Sequence, residues 1–222
     1  PSMMGIPELR QAIATHYAHW HGLQLDPMSE VMVTSGATEA LTGSILGLVQ
    51  PGDEVLLFQP MYDSYVPIIR LAGGIPKFLR LEPPHWRLPE EAIRAAITPK
   101  TRYVILNNPL NPAAVVYPRE DLEMLGRICQ EHNLVAICDE VWEHVVFDGR
   151  EHIPLITIPG MRDRTVKIGS AGKIFGLTGW KIGFVCAAPH ILRVLAKAHQ
   201  FITFTTAPNL QVAVAYGLGK SD

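Results

Sequence analysis

The sequence predicts an α/β fold, a three-layer αβα sandwich around a mostly parallel central sheet. Short β-rich runs alternate with helical ones along the chain, which means βαβ units and a sheet covered on both faces. A hydrophobic content of 48% over 222 residues supplies a substantial core. Turn signals are dense, at Pro51-Gly52, Gly73-Gly74, Pro83-Pro84 and Asp148-Gly149, but no Ser/Gly-rich linker divides the chain. Residues 1–222 therefore read as one domain without internal repeats.

The elements follow in order. PELRQAIATHYAHWHG sets Leu9, Ile13, Tyr17 and Trp20 at helical spacing and closes at Gly22, an amphipathic helix for the domain's flank. The strand EVMVTSG leads into the helix GATEALTGSILGLV, DEVLLF into a helix over 62–72, and PKFLRL into LPEEAIRAAI. RYVILNN precedes the helix PREDLEMLGRICQEHN; the strands LVAICDEV, TVKIGSAG and KIGFVCAA come next, before a closing helix around HILRVLAKAHQF. A last helical pattern runs up to GLGKSD. Ligands of such sheets bind beyond the carboxyl ends of the strands.

Composition narrows the partners. The 19 basic and 21 acidic residues nearly cancel, at a formal charge of −2, and no block of like charge suits nucleic acid or a membrane surface. No apolar stretch approaches the ~20 residues that span a bilayer, and PSMMGIPELR lacks the order of a signal peptide. Cys129, Cys138 and Cys186 form no CxxC pair, and two of them sit in apolar runs, VAICDE and GFVCAA. Buried thiols of this kind point to a reducing cytoplasm, and no metal site is expected. The chain opens without Met and stops directly after a helical pattern, so one or both natural ends are expected to lie outside it.

Five places carry residues suited to chemistry. SAGKIFGLTGWKIG holds Lys173 and Lys181 among small and apolar neighbours; a desolvated amine there is the nucleophile that makes imines with aldehydes, and a solvated surface lysine is the plain alternative. In TSGATEAL a strand passes through Gly36 into a helix whose free amides suit an anion, although such junctions are common. Asp139 closes the apolar strand of ICDEVWEH, where a carboxylate meets a cation or caps a helix; Glu140 points the opposite way if the strand continues. The prolines of NNPLNPAAVVY fix where the asparagines point, or make a plain turn. Tyr62 and Tyr65 of QPMYDSY either cover a flat ligand or pack in the core.

Taken in order along one βα array, these segments resemble the fold type I pyridoxal-5′-phosphate (PLP) enzymes, above all class I/II aminotransferases, over essentially the whole chain. SAGKIFGLTGWKIG is the strongest part, similar to that family's Schiff-base signature. The resemblance implies that residues 1–222 are the PLP-binding large domain of an enzyme moving an amino group from an L-amino acid to a 2-oxo acid by a ping-pong mechanism. By the same similarity Lys173 forms the imine with the cofactor and shuttles the proton. Ser170 and Lys181, with the backbone of Gly36, Ala37 and Thr38, hold the phosphate. Tyr62 stacks on the pyridine ring, Asp139 pairs with its nitrogen, and Asn111 donates to its phenolic oxygen.

Two departures stand out. The family's Asn-Pro-Thr/Ser-Gly becomes Asn111-Pro112-Ala113-Ala114, and alanine is strained where φ must be positive. The family's Asp-Glu-Val/Ile-Tyr places Trp142 at the tyrosine, with an indole N–H and no hydroxyl. DEVWEH looks most like the kynurenine, glutamine and methionine aminotransferases, whose substrates have large side chains; C–S β-lyases of that branch use the same lysine. A non-catalytic PLP-binding regulatory domain or fragment is the other reading. Similar proteins are homodimers with an N-terminal arm and a C-terminal small domain, and the small domain's arginine grips the substrate carboxylate. Neither segment is expected within 1–222.

Overall fold

The apolar runs become seven strands of a single sheet in the computed structural model, which describes residues 2–220; Pro1, Ser221 and Asp222 of the expected domain lie outside the described residues. In chain order the elements are α1 (Pro7–His21), β1 (Val31–Ser35), α2 (Gly36–Leu48), β2 (Glu54–Gln59), α3 (Tyr65–Leu71), β3 (Ile75–Arg80), α4 (Glu90–Ala96) and β4 (Thr101–Asn107). They continue with α5 (Arg119–Glu131), β5 (Val135–Asp139), β6 (Thr165–Ser170), α6 (Ala171–Ile174), β7 (Ile182–Ala187), α7 (Pro189–Ile202) and α8 (Pro208–Leu218).

The sheet order is β1-β7-β6-β5-β4-β2-β3. β7 runs antiparallel to both neighbours and every other pair is parallel. The short connection 171–181 accounts for the reversal, because a parallel return needs a crossover of about a dozen residues or more. Being antiparallel to β7 makes β1 parallel to the rest, so the carboxyl ends of β1, β2, β4, β5 and β6 share one edge of the sheet.

Strand alternation sends side chains to two faces, and helices cover both. Ile105, Ile137, Val166, Ile168 and Val185 pack with Leu41 and Ile45 of α2 and Leu192 and Leu195 of α7. Val104, Leu106, Ala136 and Cys138 face the other way, onto Leu122, Leu125 and Ile128 of α5. Beyond them on the sheet, α1 and α8 cover β1 and β7 through Leu9, Ile13, Tyr17, Val214 and Leu218. Burying each such side chain contributes roughly 1.5–3 kcal/mol, which is why the central strands tolerate no solvent face.

Helix ends follow local chemistry. α1, α7 and α8 open with proline, whose missing N–H costs nothing in a first turn. α1 ends at Gly22, in the left-handed region at φ 61°, where the amide caps the Tyr17 carbonyl. Two expectations shift. Trp20 is 44% exposed and lies off the buried stripe of α1 that holds Leu9, Ile13 and Tyr17. The helix read over 62–72 begins only at Tyr65, which leaves Tyr62 in the loop after β2.

Candidate active site

Along the shared edge of carboxyl strand ends lies a cleft of about 140 Å³. The β1–α2 junction brings Gly36, Ala37 and Thr38 to it, the loop after β2 brings Tyr62, and β5 ends there in Asp139. β6 and α6 supply Ser170 and Lys173, and Lys181 completes the lining. Thr178, from a short helical turn at 178–180, also lines the cleft and was not singled out from sequence. A larger groove of about 440 Å³ adjoins, lined by Asn111 and Trp142 with Leu110, Pro112, Phe147 and Arg150. Asn111 and Trp142 thus line this neighbour and not the cleft. Trp142 nevertheless sits beside the lysine, its ring 4.4 Å from Lys173 Nζ.

One end of the cleft is built for an anion. The first amides of α2 have no partner inside their own helix, and the helix dipole adds positive character. Gly36 adopts φ 77°, and a Cβ added there would come within 3.1 Å of both Cε and Nζ of Lys181. Glycine therefore keeps open a cradle shared by the amides and the ammonium. Behind it, a Cβ on Gly183 of β7 would lie 2.6 Å from the Ala37 nitrogen, so only glycine lets the sheet approach the helix start this closely.

At the other end Asp139 is buried, 5% exposed. Its Oδ2 accepts a 2.7 Å hydrogen bond from the Tyr65 hydroxyl, and its Oδ1 lies 3.5 Å from the Val141 amide. Burial pushes the carboxyl above its ordinary range, while the Tyr65 hydrogen bond, the Val141 amide and the charge of Lys173 work to hold it ionised. The sequence offers Tyr65 beside Tyr62 without a partner; its contact arises because it is the first residue of α3 and its hydroxyl reaches the end of β5.

β5 ends at Asp139, so strand alternation does not set the direction of Glu140; the residue nevertheless leaves the cleft and enters a charged cluster that sequence reading missed. Lys167 of β6, fully buried, lies 2.9 Å from Glu140 Oε2 and 2.6 Å from Glu143 Oε2, and donates to the Tyr17 hydroxyl at 3.1 Å. Burial opposes its charge, but the two carboxylates outweigh it and raise the lysine pKa. The cluster clamps the turn 141–144, and with it Trp142. A lysine between two β-formers in TVKI was the one available signal.

The loop after β4 is tied to the same strand end. Asn107 Nδ2 donates to the Asp139 carbonyl at 2.9 Å, and Asn107 Oδ1 accepts from the Asn111 amide at 2.7 Å. Ala114 takes φ 55°, the strained conformation expected of alanine in this loop.

An amine, a buried carboxylate, an exposed aromatic ring and an anion cradle at the strand ends of an open α/β sheet suit a flat, phosphorylated, cationic-ring aldehyde. Such a donor set fits PLP, and the cradle at Gly36 and Lys181 has the charge and open space that a phosphate needs. These features are those of a fold type I PLP-binding domain. The family description "Aminotransferase class I and II" matches residues 1–222, and the chain belongs to that PLP-dependent family.

Similar proteins agree. The chain is 42% identical over 224 residues to the probable N-succinyldiaminopimelate aminotransferase DapC of Mycobacterium tuberculosis, covering 100% of this chain and 56% of the relative. The solved structure of that species' N-succinyldiaminopimelate aminotransferase superposes with a TM-score of 0.98, covering 100% of this chain and 58% of its own. Methionine aminotransferase of Escherichia coli is 42% identical over 213 residues, 96% of this chain and 55% of that one. Human kynurenine–oxoglutarate transaminase 1 is 38% identical over 222 residues, 95% and 53% respectively. The chain spans about half the length of the curated relatives it matches.

Proposed function

We propose that this chain is the cofactor-holding part of an aminotransferase that moves the amino group of an L-amino acid to a 2-oxo acid in a ping-pong cycle. One observation carries the reading: Lys173 and Asp139 enter the same cleft as the α2 N-terminus and Lys181. When bound, PLP supplies an electron sink for charge left at the substrate's Cα. Lys173 would supply the amine that holds the cofactor's aldehyde carbon and, once the substrate's amine has taken its place, the free base that takes and returns the Cα proton. Asp139 holds the proton on the ring nitrogen. The amides of Gly36, Ala37 and Thr38, the Ser170 hydroxyl and the Lys181 ammonium bind the phosphate, while Tyr62 covers one face of the ring. Asn111 and the Trp142 indole N–H are the donors for the phenolic oxygen.

Amino donors with large side chains, such as the methionine and kynurenine named in its relatives, are the proposed substrate class. A cytoplasmic homodimer is the proposed setting. Supporting it, all three cysteines are free and buried, with burial raising the Cys129 and Cys186 thiols to about 12. Apolar side chains also stand exposed near α7 and α8, among them Phe201, Phe204 and Tyr216. No helix among the described residues is long and apolar enough to cross a membrane.

Borohydride reduction of the PLP-loaded full-length protein, followed by peptide mapping, tests the site. The pyridoxyl group is expected on Lys173. Finding it on Lys181, or on no lysine, refutes the assignment.

A further inference from the structure

Asp139 offers two oxygens, and the structure treats them differently. Oδ2 is taken by the Tyr65 hydroxyl at 2.7 Å, whereas Oδ1 has only the Val141 amide at 3.5 Å, at the outer limit of a hydrogen bond. Tyr65 is 1% exposed, and its ring packs in the core with Val55, Leu57 and Ile69. Burial first, and then Asp139, keep its proton on well above the ordinary phenol range, so the tyrosine is the donor and the carboxylate the acceptor. The other groups around the carboxylate are Lys173 from α6, which favours its ionised form, and Glu140 next along the chain, which opposes it. Tyr62 and Tyr117 bear on the Tyr65 side.

We propose that Tyr65 is the positioning residue of the site: its hydroxyl pins Oδ2 of Asp139 and turns Oδ1 toward the cofactor's ring nitrogen. The inference rests on the reading above that Asp139 meets that nitrogen. A carboxylate held at one oxygen cannot rotate, so one lone-pair direction is kept for the incoming N–H. A hydrogen bond donated to the ionised form also lowers its proton affinity, which counters burial. A purely structural tyrosine would need only to fill its place in the core.

Tyr65→Phe keeps the ring and removes the donor. In the full-length protein, PLP affinity followed by absorbance against pH should lose its acid limb about one pH unit higher than in wild type, a tenfold change in proton affinity at the carboxyl. The Asp139 carboxyl, followed by ¹³C NMR in cofactor-free protein, should titrate higher by the same amount. Tyr117→Phe is the control. That hydroxyl is buried near Tyr65 without a hydrogen-bond partner, so its loss should move neither titration. Wild type offers a check that needs no substitution, namely a slowly exchanging Tyr65 hydroxyl proton whose chemical shift follows the Asp139 titration. Acid limbs and carboxyl titrations that coincide in Tyr65→Phe and wild type overturn the inference, as does a freely exchanging hydroxyl. If wild type binds no PLP at any pH, the functional reading falls and takes this one with it. PLP bound through Lys173 with unshifted titrations sinks only the role of Tyr65.

Discussion

At the scale of single residues, the difference between Asp139 and Ala114 shows what a substitution can be asked. Asp139 sits in a place that burial makes unfavourable for its charge, and in the proposed reading the cation of the cofactor ring offsets that cost. Asp139→Ala should lower turnover of the full-length enzyme by roughly 10²-fold or more, the scale of losing one preorganised charge contact; near-normal turnover would remove it from the mechanism. Ala114 has the opposite character. Its φ of 55° belongs to the left-handed region, which costs an L-residue about 1–2 kcal/mol, partly offset by the greater freedom glycine loses on folding. Ala114→Gly should therefore raise stability by roughly 0.5 to 1 kcal/mol in urea unfolding. A loss instead would mean that the methyl group contributes more by packing than the backbone loses. Lys173 was singled out through the signature SAGKIFGLTGWKIG, since a lysine among glycines taken alone reads more readily as a solvated surface group. Tyr65 was not, because nothing in QPMYDSY says which tyrosine the helix will keep and which the loop will free.

At the scale of elements, β1, β2, β4, β5 and β6 were legible because each is a short, largely apolar run ended by a polar residue at the functional edge, as in VAICD and VILNN. The start of α3 was read too early because its boundary depends on the loop after β2 and not on side-chain spacing. Least legible was the cluster of Lys167, Glu140 and Glu143, whose members come from the interior of β6 and the segment just after β5 and become partners only when β5 and β6 pair. α1 closes over that cluster, and it brings a titratable group with it. His16 is 4% exposed, with Nε2 2.9 Å from His144 Nε2, and burial above all lowers its pKa from 6.5 to about 4. Between these values the unfolded chain binds a proton that the folded chain refuses, so stability rises with pH and falls on acidification. From pH 7 to pH 5 the loss should be on the order of 2 kcal/mol. His144 shifts the same way, whereas His199, raised by the neighbouring Glu39 against its own burial, shifts the other way. The comparison must therefore be with His16→Gln, whose urea midpoint in cofactor-free protein should change less between the two pH values. Parallel slopes in variant and wild type would show that α1 docks without this penalty.

At the scale of the whole molecule, the cleft gathers most of the groups proposed to grip the cofactor and little that would grip a substrate. Its lining includes two lysines, one aspartate, a serine and two threonines, and no arginine. Arg150 reaches only the adjoining groove. A substrate attached solely through its amine would turn about that bond, and the Cα–H bond would seldom stand in the orientation that removal of its proton requires. Lost orientation of this kind forfeits a large part of the advantage of a bound reaction. The chain also covers 56% of the Mycobacterium relative and 55% of the Escherichia relative, which leaves room in those relatives for residues that hold the carboxylate. The 222-residue chain on its own should thus take up PLP on Lys173 and yet fail to transaminate. A coupled assay decides this, with the chain alone set against the full-length protein, methionine, glutamine, kynurenine and phenylalanine as donors, and several 2-oxo acids as acceptors. Turnover by the chain within about tenfold of the full-length protein, roughly 1.4 kcal/mol in barrier, would mean that these residues already orient the substrate, and Arg150 would then be the first side chain to replace.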